Sequence, residues 1–156
     1  MFKKSLFIAM GALCLFAVTG CGNNSDTGKL SCTKTSTDED GYEVTDTMNV
    51  SYEKNKVTTV ENINISEMDA NYIDMTISFG NTFASALNEI SGFNATYSKE
   101  DDTHVKYVVT VDYTKLDTEV LKNVFGDNFD AESFYSSKDI TIDEFKEQNL
   151  KDYTCK

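Results

Sequence analysis

The sequence predicts an α+β fold: a mostly antiparallel sheet of two hairpins packed against one long amphipathic helix, with short C-terminal helices. Three observations carry this. Two stretches alternate apolar and polar residues around short turns, as half-buried strands do. Between them lies one stretch with the 3.6-residue period of a helix. Near the C-terminus, Thr141 and Glu144 stand at capping-box spacing before a short apolar pattern.

Taken in order, "KLSCTKTS" reads as a first short strand, followed by the acidic turn "TDEDG". In "YEVTDTMNVSY", Tyr42, Val44, Met48, Val50 and Tyr52 recur at every second residue, with Asp46 alone out of pattern. Lys54 and Asn55 supply the turn, and "KVTTVENINI" returns as the partner strand. Its apolar phase shifts between Val57, Val60 and Ile63, which predicts a bulge or an edge position.

The helical stretch is expected to run from Asp69 to Ser91, with Gly92 ending it. Tyr72, Met75, Thr76, Phe79, Phe83, Leu87 and Ile90 form its expected core face; Asn71, Asp74, Ser78, Asn81, Ser85 and Asn88 form the other. An aromatic stripe of this kind is expected to lie on the sheet, because each ring covers a large apolar area.

The second hairpin enters through Phe93, Ala95 and Tyr97, turns at "SKEDDTH" and leaves through Val105, Tyr107, Val109, Val111 and Tyr113. Val108 breaks the alternation, which predicts cover on both faces there. "TKLDTEVLKNVFG" predicts a short helix, "DNFDAESFYSSKD" a loop, "TIDEFKEQN" a final helix and "LKDYTCK" an extended tail.

The N-terminal stretch has a different character. Lys3 and Lys4 precede an apolar run from Leu6 to Val18, about half the length a membrane-spanning helix needs, and Val18-Thr19-Gly20-Cys21 closes it. This resembles the bacterial lipoprotein signal with its lipobox. The resemblance implies a signal peptide over residues 1–20 and a diacylglyceryl group on Cys21 that anchors the chain in the cell membrane on the extracytoplasmic face. Residues 21–28 become a flexible tether and residues 29–156 a single α+β domain.

Composition narrows the partners. The chain of 156 residues carries a formal charge of −12, and loss of Lys3 and Lys4 with the signal takes this to −14. Such a surface repels phosphate backbones, so nucleic acid is not an expected partner. All 14 basic residues are lysine, which removes the guanidinium fork used for bidentate anion capture. Of the four cysteines, Cys14 falls in the signal and Cys21 takes the lipid. Cys32 and Cys155 fit neither a redox nor a zinc spacing, and in an exported chain the pair reads as a disulfide, the alternative being two separate thiols.

The segments "VSYEKNKVTTV", "ISGFNATYSKEDDTHVKYVVTVDYTKLDTEVL" and "ITIDEFKEQNLK", with the long helix between the first two, resemble the YehR-like family of small bacterial lipoproteins. The resemblance spans roughly residues 28–150 and implies a domain of no assigned activity. It carries no catalytic or binding residues across.

The chemistry-bearing residues point the same way. Glu100, Asp101, Asp102 and His104 crowd one hairpin tip, and "TDEDGYE" lacks the ligand spacing of a calcium loop, so solvated turns are expected at both. No nucleophile elbow, HExxH or phosphate loop occurs. The expectation is therefore a non-enzymatic envelope lipoprotein without cofactor or metal, a binding module for an envelope protein or a wall polymer. The alternative is a structural or accessory envelope lipoprotein without a small-molecule ligand. An exposed aromatic patch separates the first from the second.

Overall fold

The computed structural model describes residues 27–116, 120 and 139–156. The element order is β1 (Gly28–Thr37), β2 (Glu43–Glu53), β3 (Lys56–Glu67), α1 (Ile73–Asn88), β4 (Phe93–Lys99), β5 (His104–Asp112), α2 (Ile142–Asn149) and β6 (Thr154–Cys155). The strands form one six-stranded sheet in the order β4-β5-β3-β2-β1-β6, and its pairings are antiparallel. Both expected hairpins are present, and α2 follows them. The lipobox and Cys21, the loop over 127–138 and most of the helix expected over 114–126 lie outside the described residues.

Turn chemistry sets the register. Lys54 and Asn55 both take positive φ, 50° and 63°, the backbone of the tight turns that suit a twisted hairpin. A register shift follows at once: Ser51 pairs with Thr59 and Tyr52 with Val57, so Thr58 is the extra residue of a bulge. The phase shift in the sequence therefore marks a bulge; β3 itself is central.

Cross-strand partners share a face, and the pairings place Leu30, Val50, Val60, Val111 and Phe93 in one row. Cys32, Met48, Asn62, Val109 and Ala95 form the next, then Lys34, Asp46, Asn64, Tyr107 and Tyr97. This is the core face. Its buried members join Ala84, Leu87 and Ile90 from the α1 region with Ile140, Ile142, Phe145 and Leu150 from the α2 region. The opposite face carries Ser31, Thr33 and Thr35 beside Asn49, Thr47 and Thr45, tied by cross-strand hydrogen bonds such as Ser31 to Asn49 and Asn49 to Glu61. Val108 lies on this polar face opposite Ile63; a small apolar island, not double cover, explains its break in the alternation.

The C-terminal part is pinned to the first hairpin. Val57 N–H donates to the Ile140 carbonyl and Ile142 N–H to that of Asn55. Thr141 caps α2 in the expected box: its hydroxyl accepts from Glu144 N–H while the Glu144 carboxylate accepts from Thr141 N–H. The tail then pairs with β1 through Cys32–Cys155 and Thr33–Thr154, and a disulfide joins Cys32 to Cys155 across 123 residues.

Candidate functional site

The sequence places α1 on the sheet by its aromatic stripe. The structure turns it otherwise. α1 runs from Ile73 to Asn88, shorter than the expected 69–91, because Asp69 and Asn71 form a side-chain-braced turn ahead of Tyr72. Its buried residues are Ile73, Gly80, Ala84 and Leu87, while Tyr72, Met75, Phe79 and Phe83 are 57%, 63%, 78% and 50% exposed. Leu87 and Ile90 are buried as expected, but over the first three turns the buried face is rotated by one residue, from Tyr72, Phe79 and Phe83 to Ile73, Gly80 and Ala84.

The reason lies at the sheet edge. A Cβ at Gly80 would come 2.5 Å from Cγ of Tyr97, so the helix axis sits against that ring as only glycine permits. This approach brings two asparagines, expected on the solvent side, onto the outer edge of β4. Asn81 donates to the Tyr97 carbonyl at 3.0 Å and accepts from Tyr97 N–H at 3.0 Å. Asn88 does the same with Ala95, at 3.0 Å and 2.6 Å. Each amide offers one donor and one acceptor side by side, as a neighbouring strand would, and so closes an edge otherwise open to pairing. Large side chains at 80 and 84 would hold the helix too far away. The aromatics are left pointing elsewhere.

The stripe Tyr72, Met75, Phe79, Phe83 spans twelve residues from the N-cap on, a rise of about 16 Å. Its exposed area is on the order of 400 Å², the size of the largest apolar patch on a typical monomer, a patch that is often functional. The chain around it in sequence is acidic: from residue 57 to 98 it holds no lysine, Glu67 and Asp69 precede the stripe and Glu89 follows, while Asp74 lies on the opposite side of the helix, towards Lys99 of β4. Lys99, which feels Asp74, is held by Asp102 at 2.7 Å.

At the β4–β5 tip, Asp101 accepts from Thr103 N–H and meets His104 Nδ1 at 2.8 Å. These hydrogen bonds hold the Asp101 carboxyl down at about 2, and the carboxylate in turn raises His104 above its ordinary value. The pair is an ion pair within a turn, with the aspartate already committed to its own loop. Among the described residues no group of three or more acidic, histidine or cysteine side chains is placed to hold a metal ion.

A second polar cluster lies on the core face. Asp46 accepts from Asn62 and from the Tyr153 hydroxyl, and Lys34 reaches over the Tyr153 ring. Burial, reinforced by the Asp46 carboxylate, pushes the Tyr153 hydroxyl up to about 12. This accounts for Asp46 standing out of the alternation: it is a core-face residue with its own partners.

No family model matches the chain, and no curated relative matches it. Two solved structures are similar. An NMR structure of a protein from Streptococcus pneumoniae TIGR4 superimposes with a TM-score of 0.53 at 13% identity, covering 100% of this chain and 97% of that one. The NMR structure of the Escherichia coli YehR protein gives 0.52 at 17% identity, covering 77% and 84%. The chain therefore has a YehR-like fold. At these identities the likeness is one of fold alone.

Proposed function

We propose that this protein is a lipid-anchored interaction module of the bacterial envelope, tethered through Cys21 on the extracytoplasmic face and presenting the aromatic stripe of α1 to an envelope protein. The exposed stripe is the observation that carries this reading. An exposed aromatic patch favours this reading over a structural or accessory envelope lipoprotein without a small-molecule ligand, for which a covered sheet and helix suffice. The lipobox resemblance supports the anchor, and two acyl chains suffice for stable attachment. Catalysis has less support, since the titratable groups with shifted values are bound to neighbours within turns or to the sheet.

The test uses the full chain in its own cell. A photo-crosslinking residue at position 79 is expected to trap one protein reproducibly, and the same probe at Thr35, on the far sheet face, is expected not to. Mass spectrometry of the processed chain is expected to find Cys21 lipidated, and Cys21→Ser to release the domain from the membrane. Equal, diffuse labelling from positions 79 and 35 sinks the module reading; an unmodified Cys21 sinks the anchor.

A further inference from the structure

Resting on that reading, we infer that the occupant of the α1 stripe is a cationic amphipathic helix, an apolar face flanked by lysine or arginine. Three observations lead there. The stripe belongs to a helix, whose backbone beyond the first turn is spent on its own hydrogen bonds, so an extended peptide laid along it would find few main-chain partners and would leave its own amides unsatisfied. A helix brings its backbone already paired. Positions 72, 75, 79 and 83 step by three, four and four, the spacing at which one helix accepts the ridge of another.

Charge chooses the occupant's sign. With no lysine from residue 57 to 98, Glu67 and Asp69 just ahead of the stripe and Glu89 beyond it, a partner with basic flanks gains attraction at the ends of the contact. A second copy of this chain would bring the same acids face to face on two bodies that each carry −14 once the signal is removed.

The bilayer is disfavoured by position as well as by charge. Gly28, where the tether ends, pairs with Tyr52 at the end of the sheet where β4 begins. α1 runs antiparallel to β4, since Asn88 meets Ala95 and Asn81 meets Tyr97. The stripe therefore starts at the end of the sheet away from the tether, where Met68 N–H meets the Thr103 carbonyl.

The experiment titrates the full soluble domain with two designed 18-residue helices, one with leucine and lysine and one with leucine and glutamate in the same pattern. The lysine helix is expected to bind and the glutamate helix to bind at least tenfold more weakly. The pair Phe79→Ser and Phe83→Ser is expected to weaken the lysine helix at least tenfold. Glu67→Gln with Asp69→Asn is expected to weaken it several-fold and flatten its salt dependence. Unchanged Tm in the serine variant establishes that the stripe is free in the folded chain; a fall of many degrees shows it covered from within and overturns the inference. So do equal binding of both helices, a dimer in sedimentation that the serine pair abolishes, or binding of the unlipidated domain to phosphatidylglycerol vesicles that the serine pair abolishes. If position 79 still traps one protein in cells while the lysine helix fails, the module reading stands and the cationic occupant does not.

Discussion

Replacing Asn88 by alanine sets two effects of opposite sign against each other. On a solvent-facing helix position the change is favourable by up to about 0.7 kcal/mol, because alanine is the better helix former. At the β4 edge it strips the partners from the N–H and the carbonyl of Ala95, a buried residue. Each backbone group left without a partner costs about 1–3 kcal/mol, the lower figure applying where water enters from the open side. The expected net result is destabilisation by about 1–3 kcal/mol, or a fall of roughly 1 M in the urea midpoint at a typical slope. Ser78→Ala, on the exposed side of α1, is the matched control and is expected to gain a few tenths of a kcal/mol. Equilibrium urea unfolding measures both, and hydrogen exchange at Ala95 and Tyr97 reports the edge directly. An Asn88→Ala chain as stable as the parent, with those two amides still protected, refutes the clamp.

Asn81→Ala is expected to act in the same direction but less, since Tyr97 is more exposed than Ala95 and water replaces part of what is lost. Gly80→Ala also opposes propensity: it gains about 1 kcal/mol as a helix former yet drives a methyl into the Tyr97 ring, so a net loss of about 1–2 kcal/mol is expected in urea unfolding. Cys155→Ser opens a loop of 123 residues, worth up to about 5 kcal/mol by loop closure; an equal loss is expected on adding dithiothreitol to the parent, and no response to reductant contradicts the bridge. His104 is expected to titrate above 6.5 by imidazole NMR, and Asp101→Asn to return it toward that value. The His104 value is raised and the Asp101 value lowered on folding, so this pair's contribution is full between 3.8 and 6.5, is lost as pH rises through the raised histidine value, and is lost on the acid side as pH falls from 3.8 through about 2.

The strands were legible because each carries its own local signal. Alternation, the Lys54–Asn55 turn, the Thr141–Glu144 box and the phase break at the Thr58 bulge are all properties of neighbouring residues. The face of α1 was not, because it depends on a comparison the helix alone does not contain. Ranked by apolar area, the stripe with Phe79 and Phe83 belongs inside. Ranked by what the edge of β4 needs, Gly80 and Ala84 belong inside with Asn81 and Asn88 at the strand margin, and an uncapped strand edge decides the matter. A signal was present in the pattern: Gly80 and Ala84 four apart with asparagines beside them, on a helix with no other use for a glycine. Asp46 was likewise visible only as an exception, since its partner Tyr153 lies 107 residues away.

Sealing a sheet margin with carboxamides has a consequence for a body this acidic. An aspartate in either position would set a carboxylate against a peptide oxygen and would answer to proton concentration and ionic strength. Asparagine carries both halves of the peptide's own bonding pattern and no charge, so the closure holds unchanged through acidification or high salt. Copies crowded together on one surface therefore meet no free strand on that side, and growth of the sheet from one molecule into the next is stopped there by two side chains.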